Sequence, residues 1–289
     1  MAQPITVDDL YQLGWLEEPR YSPDGGAIAF VRVTVDRAAN RYRRAIWLAP
    51  TEGGPPRRFT AGTSSDTTPC WSPDGRALAF VSDRGGDAAQ LYLIATGGGE
   101  ARCLTNLPGG VSAPRWSPDG ARIAFLSRVN EAERAAEDAG PPPDLGDEWE
   151  RRRAREQRQH EEAARFDPRV VTRLPYRGGT SFFDDRRNHV YVIDLPTGDD
   201  APAPVSRRLT DGDLHYGTPA WMPDGGAILT TATRDPEADS LFAFYDVLRV
   251  PVPAQGRAEP ERLTEAGFSY YDPEHSPDGS LITTCAPTS

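Results

Sequence analysis

The sequence predicts an all-β fold, a partial β-propeller of about four complete four-stranded blades plus the start of a fifth, with a short N-terminal helix and a charged helical insertion. The first observation is a turn motif, an aromatic residue followed by Ser-Pro-Asp-Gly, that recurs with small changes and precedes a short apolar run each time. The second is its spacing, because three of the four steps match the roughly 40 to 50 residues of one propeller blade. The motif occupies residues 21–25, 71–75, 116–120, 221–225 and 275–279.

The step between the third and fourth motifs is about twice as long as the others. It holds either two blades or one blade that carries an insertion. We prefer the insertion, because residues 131–166 have the composition of an added charged segment. The predicted organisation is therefore an N-terminal helical lead over residues 1–20 and incomplete propeller blades over residues 21–289, with an insertion at 131–187 in blade three.

The first element is a short helix predicted over residues 6–19. Thr6 can cap it, with Asp9 three residues later in the manner of a capping box. Leu10, Leu13 and Leu16 then form part of an apolar side. We interpret this helix as a plug or brace against a neighbouring domain.

Blade two shows the internal order of a blade most clearly. Strand A is predicted at 69–72, strand B at 76–82, strand C at 90–95 and strand D at 101–105, with turns at 73–75 and 97–99. Strand C is rich in apolar residues of the kind that favour β-strands. The same pattern places strand C at 45–48, 189–193 and 240–244 in the other blades. Leu-Thr ends strand D at 104–105, 209–210 and 263–264, and Phe-Thr takes that place at 59–60.

The chemistry of the motif predicts a tight hairpin turn between strands A and B. Proline fixes φ near −65°, which suits the second position of a type I turn, and aspartate suits the third. Glycine at the fourth position accepts the positive φ that closes a bulged hairpin. The aromatic residue before the turn is expected to pack between neighbouring blades, as the logic of a repeat protein requires.

The insertion in blade three is strongly charged. Residues 131–138 are charged, three prolines interrupt the pattern at 141–143, and residues 147–166 are predicted to form a helix that Asp144 or Asp147 caps. Acidic residues in its first turn suit the helix dipole. The mixed charges are typical of a solvated face. The alternative is a flap over a channel or an interface arm.

The composition narrows the classes of partner. The net charge of −11 argues against nucleic acid, since phosphate binding needs a basic face. No apolar run reaches the roughly 20 residues of a membrane span, and residues 1–9 lack a basic start and an apolar signal core. We therefore expect a cytoplasmic location. The cysteines are interpreted as small apolar residues in strands, at positions 70, 103 and 285.

The sequence contains none of the common catalytic motifs that we searched for. Every Gly-x-Ser lacks the final glycine of a nucleophile elbow. The four histidines form no metal-binding spacing, and there is no phosphate-binding glycine loop, so we predict no catalytic residue, no metal and no cofactor. His275 takes the aromatic position of the repeat, where packing is expected. His215, in a loop between blades, could face a ligand.

The blade pattern resembles TolB-like and S9-type propeller blades. The resemblance to the S9 prolyl oligopeptidase family, especially its acylaminoacyl-peptidase branch, goes further and covers essentially the whole chain. It includes residues 7–10 leading into 19–25, and residues 171–177 before 189–195. It implies a propeller that screens short or N-acylated peptides for a C-terminal α/β-hydrolase domain, which supplies the Ser, Asp and His of a serine peptidase. The parent of such a chain can also be a homo-oligomer.

The chain departs from the family pattern because it stops after strand B of a fifth blade, so no triad residue can be carried over. We interpret it as a truncated product, an excised domain or the product of a broken gene. An open ring leaves an unpaired strand edge at 281–285, which favours aggregation. If a hydrolase partner exists, Arg173, Tyr176 and Arg177 are candidates for lining the substrate channel or the interface. The alternative function is a non-enzymatic TolB-like propeller that binds a protein on one face.

Overall fold

The predicted partial propeller is confirmed in a computed structural model, which describes residues 6–86, 88–140, 177–178, 181–182, 185–195, 204–233, 244–265 and 268–286. Four antiparallel sheets of four strands each follow one another along the chain, and a two-stranded sheet begins a fifth. The described residues do not close a ring. No helix in these ranges has the length and hydrophobicity to cross a bilayer.

Each of the first two blades is built from four consecutive strands. Blade one consists of β1 (Gly14–Tyr21), β2 (Ala27–Asp36), β3 (Arg41–Pro50) and β4 (Arg57–Arg58). Blade two consists of β5 (Asp66–Trp71), β6 (Ala77–Ser82), β7 (Gln90–Ala95) and β8 (Arg102–Cys103). We refer to the four strands of each blade, in this order, as strands A to D.

Blade three carries additional elements between its second and third strands. Its sheet consists of β9 (Ser112–Trp116), β10 (Arg122–Val129), β13 (Arg187–Asp194) and β14 (Ser206–Arg208). Helix α1 (Glu131–Ala139) and a separate hairpin of β11 (Arg177–Gly178) and β12 (Ser181–Phe182) lie between β10 and β13 in the sequence. These elements lie within the insertion predicted at 131–187, whose bounds stay a prediction. The predicted helix at 147–166 lies outside the described residues.

Blade four repeats the order of the first two blades. It consists of β15 (Ala220–Trp221), β16 (Ala227–Thr233), β17 (Tyr245–Pro251) and β18 (Glu261–Arg262), and β19 (Tyr271–His275) and β20 (Ile282–Cys285) begin blade five. The predicted position of strand C in blade four, residues 240–244, is wrong. The strand begins at Tyr245, and residues 240–243 lie outside the described residues. A threonine fixes this register, because the Val247 N–H donates to the Thr264 hydroxyl over 3.1 Å.

The predicted N-terminal helix is present but shorter than expected. A 3-10 helix spans Val7–Gln12, and the Thr6 N–H and hydroxyl both donate to the Asp9 carboxylate. Strand β1 begins at Gly14, which pairs with Thr34 of β2. The helical spacing of leucines is misleading here, because Leu10, Leu13 and Leu16 are all more than half exposed and bury no helical face. Cross-strand hydrogen bonds therefore override the local helix propensity.

The predicted turn geometry is confirmed in all five blades. Each motif glycine has φ between 66° and 73°, and its N–H donates to the carbonyl of the first turn residue over 2.8–2.9 Å. Each turn also lies against the one before it. An added Cβ would contact the proline of the preceding turn at four glycines: Gly75, Gly120, Gly225 and Gly279. The turns thus follow one another around the axis at the inner strands, since strands A of successive blades are neighbours.

The three tryptophans of the motif join consecutive blades, as predicted. The indole Nε1 of Trp71 donates to the Arg20 carbonyl over 3.0 Å. Trp116 and Trp221 make the same bond, over 2.9 Å, to the carbonyls of Cys70 and Arg115. Each acceptor lies in strand A of the preceding blade. Three apolar clusters between blades one and two, two and three, and three and four form the core around these bonds.

Candidate functional site: a charged cleft beside helix α1

Of the three predicted site residues, the described part of the chain includes Arg177 alone. Arg173 and Tyr176 lie outside the described residues. Arg177 lies in β11, where it pairs with Phe182 of the short hairpin. Their role at a channel or an interface therefore stays a prediction.

His215, which could have faced a ligand, lies in the connection between blades three and four. Its ring Nδ1 accepts a hydrogen bond from the Asn188 N–H over 3.4 Å. The backbone N–H of His215 donates to the Thr233 hydroxyl over 3.1 Å. The ring is half-buried. These contacts assign His215 a role in joining β13 to β16.

A site that the sequence analysis missed lies on blade three, beside helix α1. Asn130 caps this helix: its Oδ1 accepts from the Glu133 N–H over 2.9 Å, and its own N–H donates to the Glu133 carboxylate over 3.0 Å. Only a charged segment was predicted over these residues. The Asn-x-x-Glu spacing of a capping box was the signal that could have located the helix.

Arg208 fastens helix α1 to the outer strand of the blade. Its side chain is only 2% exposed and forms ion pairs with Glu137, Asp138 and Asp211 over 2.9–3.0 Å. Arg257, from the C–D hairpin of blade four, also donates to both oxygens of Asp138. The Arg257 and Arg208 guanidinium groups hold the pKa of Asp138 below its usual range. Arginines from two blades thus pair with the C-terminal turn of the helix.

A buried histidine lies beneath the same helix. The Nε2 of His189 is 3.5 Å from the Arg134 guanidinium, and its Nδ1 is 3.1 Å from the Thr210 hydroxyl. Burial, together with the charges of Arg134 and Arg208, lowers the pKa of His189 to about 3. The ring is therefore neutral at physiological pH. Since Nε2 faces a cation, the proton is on Nδ1 and is donated to Thr210.

A cleft of about 830 Å³ opens between helix α1 and the sheet. Its walls come from the link between blades two and three, from β10, β13 and β14, and from the tip of the blade-four hairpin. This volume is in the range of sites for small ligands. The Tyr191 hydroxyl donates to the Glu137 carboxylate over 2.8 Å. Burial and the charge of Glu137 raise the pKa of Tyr191, so this phenol stays protonated.

Ser127 gives the cleft an unused polar group. Its side chain is 2% exposed, and its Oγ has no hydrogen-bond partner among the described residues. His189 is directly opposite Ser127 in the sheet, but its two ring nitrogens face Arg134 and Thr210. No general base among these residues therefore contacts the hydroxyl. The arrangement fits a binding site and not a nucleophilic one.

Comparisons with known proteins agree with this fold. Residues 12–139 match the family model of the TolB beta propeller domain. A stretch of 95 residues, 33% of this chain, is 43% identical to "Uncharacterized peptidase YuxL" of Bacillus subtilis (strain 168) and covers 14% of that protein.

Two solved structures share the architecture. Pyrococcus horikoshii acylaminoacyl peptidase superimposes with a TM-score of 0.59 at 17% identity, covering 91% of this chain and 34% of that one. A protein described as TolB from Agrobacterium tumefaciens gives a TM-score of 0.56 at 19% identity, covering 94% of this chain and 70% of that one. The predicted resemblance to TolB-like and S9-type propellers is confirmed. The chain spans about a third of the peptidase structure and a smaller part of its curated relative.

Proposed function

We propose that this chain is the substrate-gating propeller of an S9-like serine peptidase that acts on short or N-acylated peptides in the cytoplasm. The observation that carries the proposal is the 43% identity over 95 residues with a bacterial peptidase. The propeller fold shared with an acylaminoacyl peptidase supports it. The catalytic Ser, Asp and His would come from an α/β-hydrolase domain, which the residues of this chain do not supply.

The architecture suits a gating role because strands A of successive blades are neighbours at the axis. Four residues in these strands are left-handed although they are not glycine, and each directly precedes a proline: Glu18, Thr68, Ala113 and Asp272. The resulting bulges interrupt the pairing of strands A and B. A bulge changes the direction in which side chains point. Here the bulges lie in the strands that would line the channel for a peptide.

The test is the intact mass of the native gene product from its own cells, combined with labelling by a fluorophosphonate that reacts with activated serines. We expect a species much heavier than 31.6 kDa that becomes covalently labelled. A product of 31.6 kDa that neither reacts nor co-purifies with a reactive partner would contradict the proposal.

Arg177 provides a finer test in the native peptidase. Arginine can clamp a peptide carboxylate through two parallel hydrogen bonds, so we expect Arg177→Ala to lower kcat/KM for short peptides about tenfold. Arg249→Ala is the matched control, because Arg249 forms an exposed ion pair with Glu261 on blade four. Unchanged peptide turnover in Arg177→Ala would remove Arg177 from the channel or interface.

A second candidate function is a non-enzymatic TolB-like propeller that binds a protein. The superposition with TolB favours it, because the match covers 70% of that chain. In this case the isolated chain would capture one protein from a lysate of its own cells, with no peptidase subunit present. Failure to capture a partner, together with a fluorophosphonate-reactive native product, would exclude this reading.

A further inference from the structure

Blades two and three contain the same arrangement of three side chains. In blade two, Phe80 stacks on Tyr92 with ring centroids 5.7 Å apart, and Ser82 follows on the same strand. In blade three, Phe125 stacks on Tyr191 at 5.8 Å, and Ser127 follows. The register agrees, because Phe80 pairs with Tyr92 and Phe125 with Tyr191.

In blade two this arrangement holds a guanidinium group from the chain itself. The Arg84 Nε donates to the Ser82 hydroxyl over 3.0 Å. The guanidinium carbon lies 5.0 Å from the centre of the Phe80 ring and 4.9 Å from that of Tyr92. Its Nη2 donates to the buried Asp66 carboxylate over 2.7 Å. Aromatic face, hydroxyl acceptor and carboxylate together satisfy the cation.

In blade three an apolar residue takes the position of this arginine. The residue two positions after Ser127 is Val129, where blade two has Arg84 two positions after Ser82. The Ser127 hydroxyl has no partner among the described residues and lines the cleft together with Tyr191. Carboxylates are also present, because Glu133 and Glu137 of helix α1 line the same cleft.

We propose that the cleft binds the guanidinium group of an arginine from outside the chain. The cation would lie on Tyr191, donate to the Ser127 hydroxyl, and share the carboxylates of Glu133 and Glu137 with Arg186 and Arg208. This site does not depend on the proposed peptidase function.

The other charged groups of the cleft are compatible with a cation. Asp138 is paired with Arg208 and Arg257. Arg207 lines the cleft from the other face of the sheet, since it pairs with Val192, and its Nη1 donates to the Gly256 carbonyl over 3.3 Å. Among the described residues the Glu137 Oε1 accepts from the Tyr191 hydroxyl alone, so one of its two lone pairs is left for a further hydrogen bond.

The experiment is calorimetric titration of the 289-residue chain with N-acetyl-arginine amide. N-acetyl-citrulline amide is the matched probe, because it has nearly the same shape without the charge. We expect saturable binding of one arginine derivative per chain, and at least about tenfold weaker binding of citrulline. Equal binding of the two probes, or no binding of the arginine probe, would overturn the proposal.

Variants locate the site. Ser127→Ala should weaken binding of the arginine probe by about tenfold, because one acceptor for a charged donor is lost. Ser112→Ala, an exposed serine on the adjacent strand β9, should leave binding unchanged. Glu133→Gln gives a second variant should Ser127→Ala fail to fold, and it too should weaken binding. Full affinity in both folded variants would place the arginine elsewhere and overturn the proposal.

A capped pentapeptide with a central arginine distinguishes the source of the guanidinium. Tighter binding of the peptide than of N-acetyl-arginine amide indicates the side chain of a peptide or protein. Equal affinity indicates a small guanidinium compound. Either outcome supports the cation site. Binding of neither the peptide nor N-acetyl-arginine amide would contradict it.

Discussion

At the scale of single residues, the turn motif works through one hydroxyl and one carboxylate. In four of the five turns the serine Oγ donates to the motif aspartate over 2.5–2.6 Å and accepts the N–H of the residue five positions later. These serine hydrogen bonds lower the pKa of the aspartates, to about 2 for Asp278. Met222 replaces the serine in blade four and makes neither side-chain bond, although its backbone turn is the same.

Ser117 is the turn serine whose loss should cost most, because it is completely buried. Ser117→Ala leaves the Arg122 N–H without its 2.9 Å acceptor. We expect the free energy of unfolding to fall by about 1–3 kcal/mol, measured by urea denaturation at an unchanged m-value. Ser112→Ala, on the surface of β9, is the control and should change it by less than about 0.5 kcal/mol. A loss no larger than this control would contradict the role of the hydroxyl.

His189 makes the fold sensitive to acid. As pH falls below about 6.5, an unfolded histidine binds a proton, whereas the native His189 does so only at about 3. The unfolded state therefore binds more protons in this window, and stability falls as pH falls, by up to about 1.4 kcal/mol per pH unit. Gln90 takes the equivalent place in blade two, where its Oε1 accepts the Thr105 hydroxyl.

His189→Gln should therefore flatten the pH dependence of unfolding between about pH 6.5 and 5, while the amide still reaches Thr210. The measurement is chemical denaturation at a series of pH values. A wild-type slope that survives in His189→Gln would assign the acid sensitivity to other groups.

At the scale of the elements, strand C of each blade is completed by a threonine as well as by strand D. The hydroxyls of Thr60, Thr105, Thr210 and Thr264 each accept a strand-C N–H over 3.0–3.1 Å. Strand D itself is only two or three residues long. The Leu-Thr or Phe-Thr pair in the sequence therefore indicates where strand C lies. In blade four, Thr264 bonds to Val247, and this pairing would have placed strand C correctly.

Arg208 should control the docking of helix α1. Arg208→Ala leaves Glu137 and Asp138 without their buried partner, and breaking such a pair costs roughly 3–5 kcal/mol when the partner stays buried. Both acids are partly exposed, so we expect about 2 kcal/mol. Hydrogen exchange should show faster exchange in Glu131–Ala139, with β6 and β7 unchanged. Arg249→Ala is the control for loss of an exposed ion pair. Unchanged protection of the helix would contradict this assignment.

The elements differ in how far the sequence could predict them. Strand C of blade two was placed to the residue, because its apolar run lies between clear turns. The N-terminal helix was overextended, since its leucines have helical spacing but are exposed. The cleft could not be predicted at all, because it depends on Arg208 and Arg257 reaching helix α1 from positions about 70 and 119 residues away.

At the scale of the whole molecule, consecutive blades are held by the indole bonds and the apolar clusters between them. An array of this kind derives its stability from each unit and from each interface between neighbours. Weakening one interface should therefore uncouple the blades on either side. The turn glycines add a second series of contacts nearer the axis.

Trp116→Phe tests the interface between blades two and three. It removes the 2.9 Å bond to the Cys70 carbonyl and keeps an aromatic ring. We expect the free energy of unfolding to fall by about 1–2 kcal/mol and the urea transition to broaden. Trp47→Phe, in β3, is the control because Trp47 lies over Arg32 within blade one. A transition as sharp as in the wild type would show that the indole bond does not couple the blades.

The indole bonds have a consequence for how such a chain can grow. Every acceptor is a main-chain carbonyl, supplied by residues as different as Arg20, Cys70 and Arg115. The bond between blades therefore does not depend on which side chain the acceptor residue of the preceding blade carries. A copied unit that brings its own tryptophan can be inserted behind any other without a matching mutation. Gene duplication can lengthen the array one blade at a time, and each copy is then free to diverge, as Val129 of blade three differs from Arg84 at the same position of blade two.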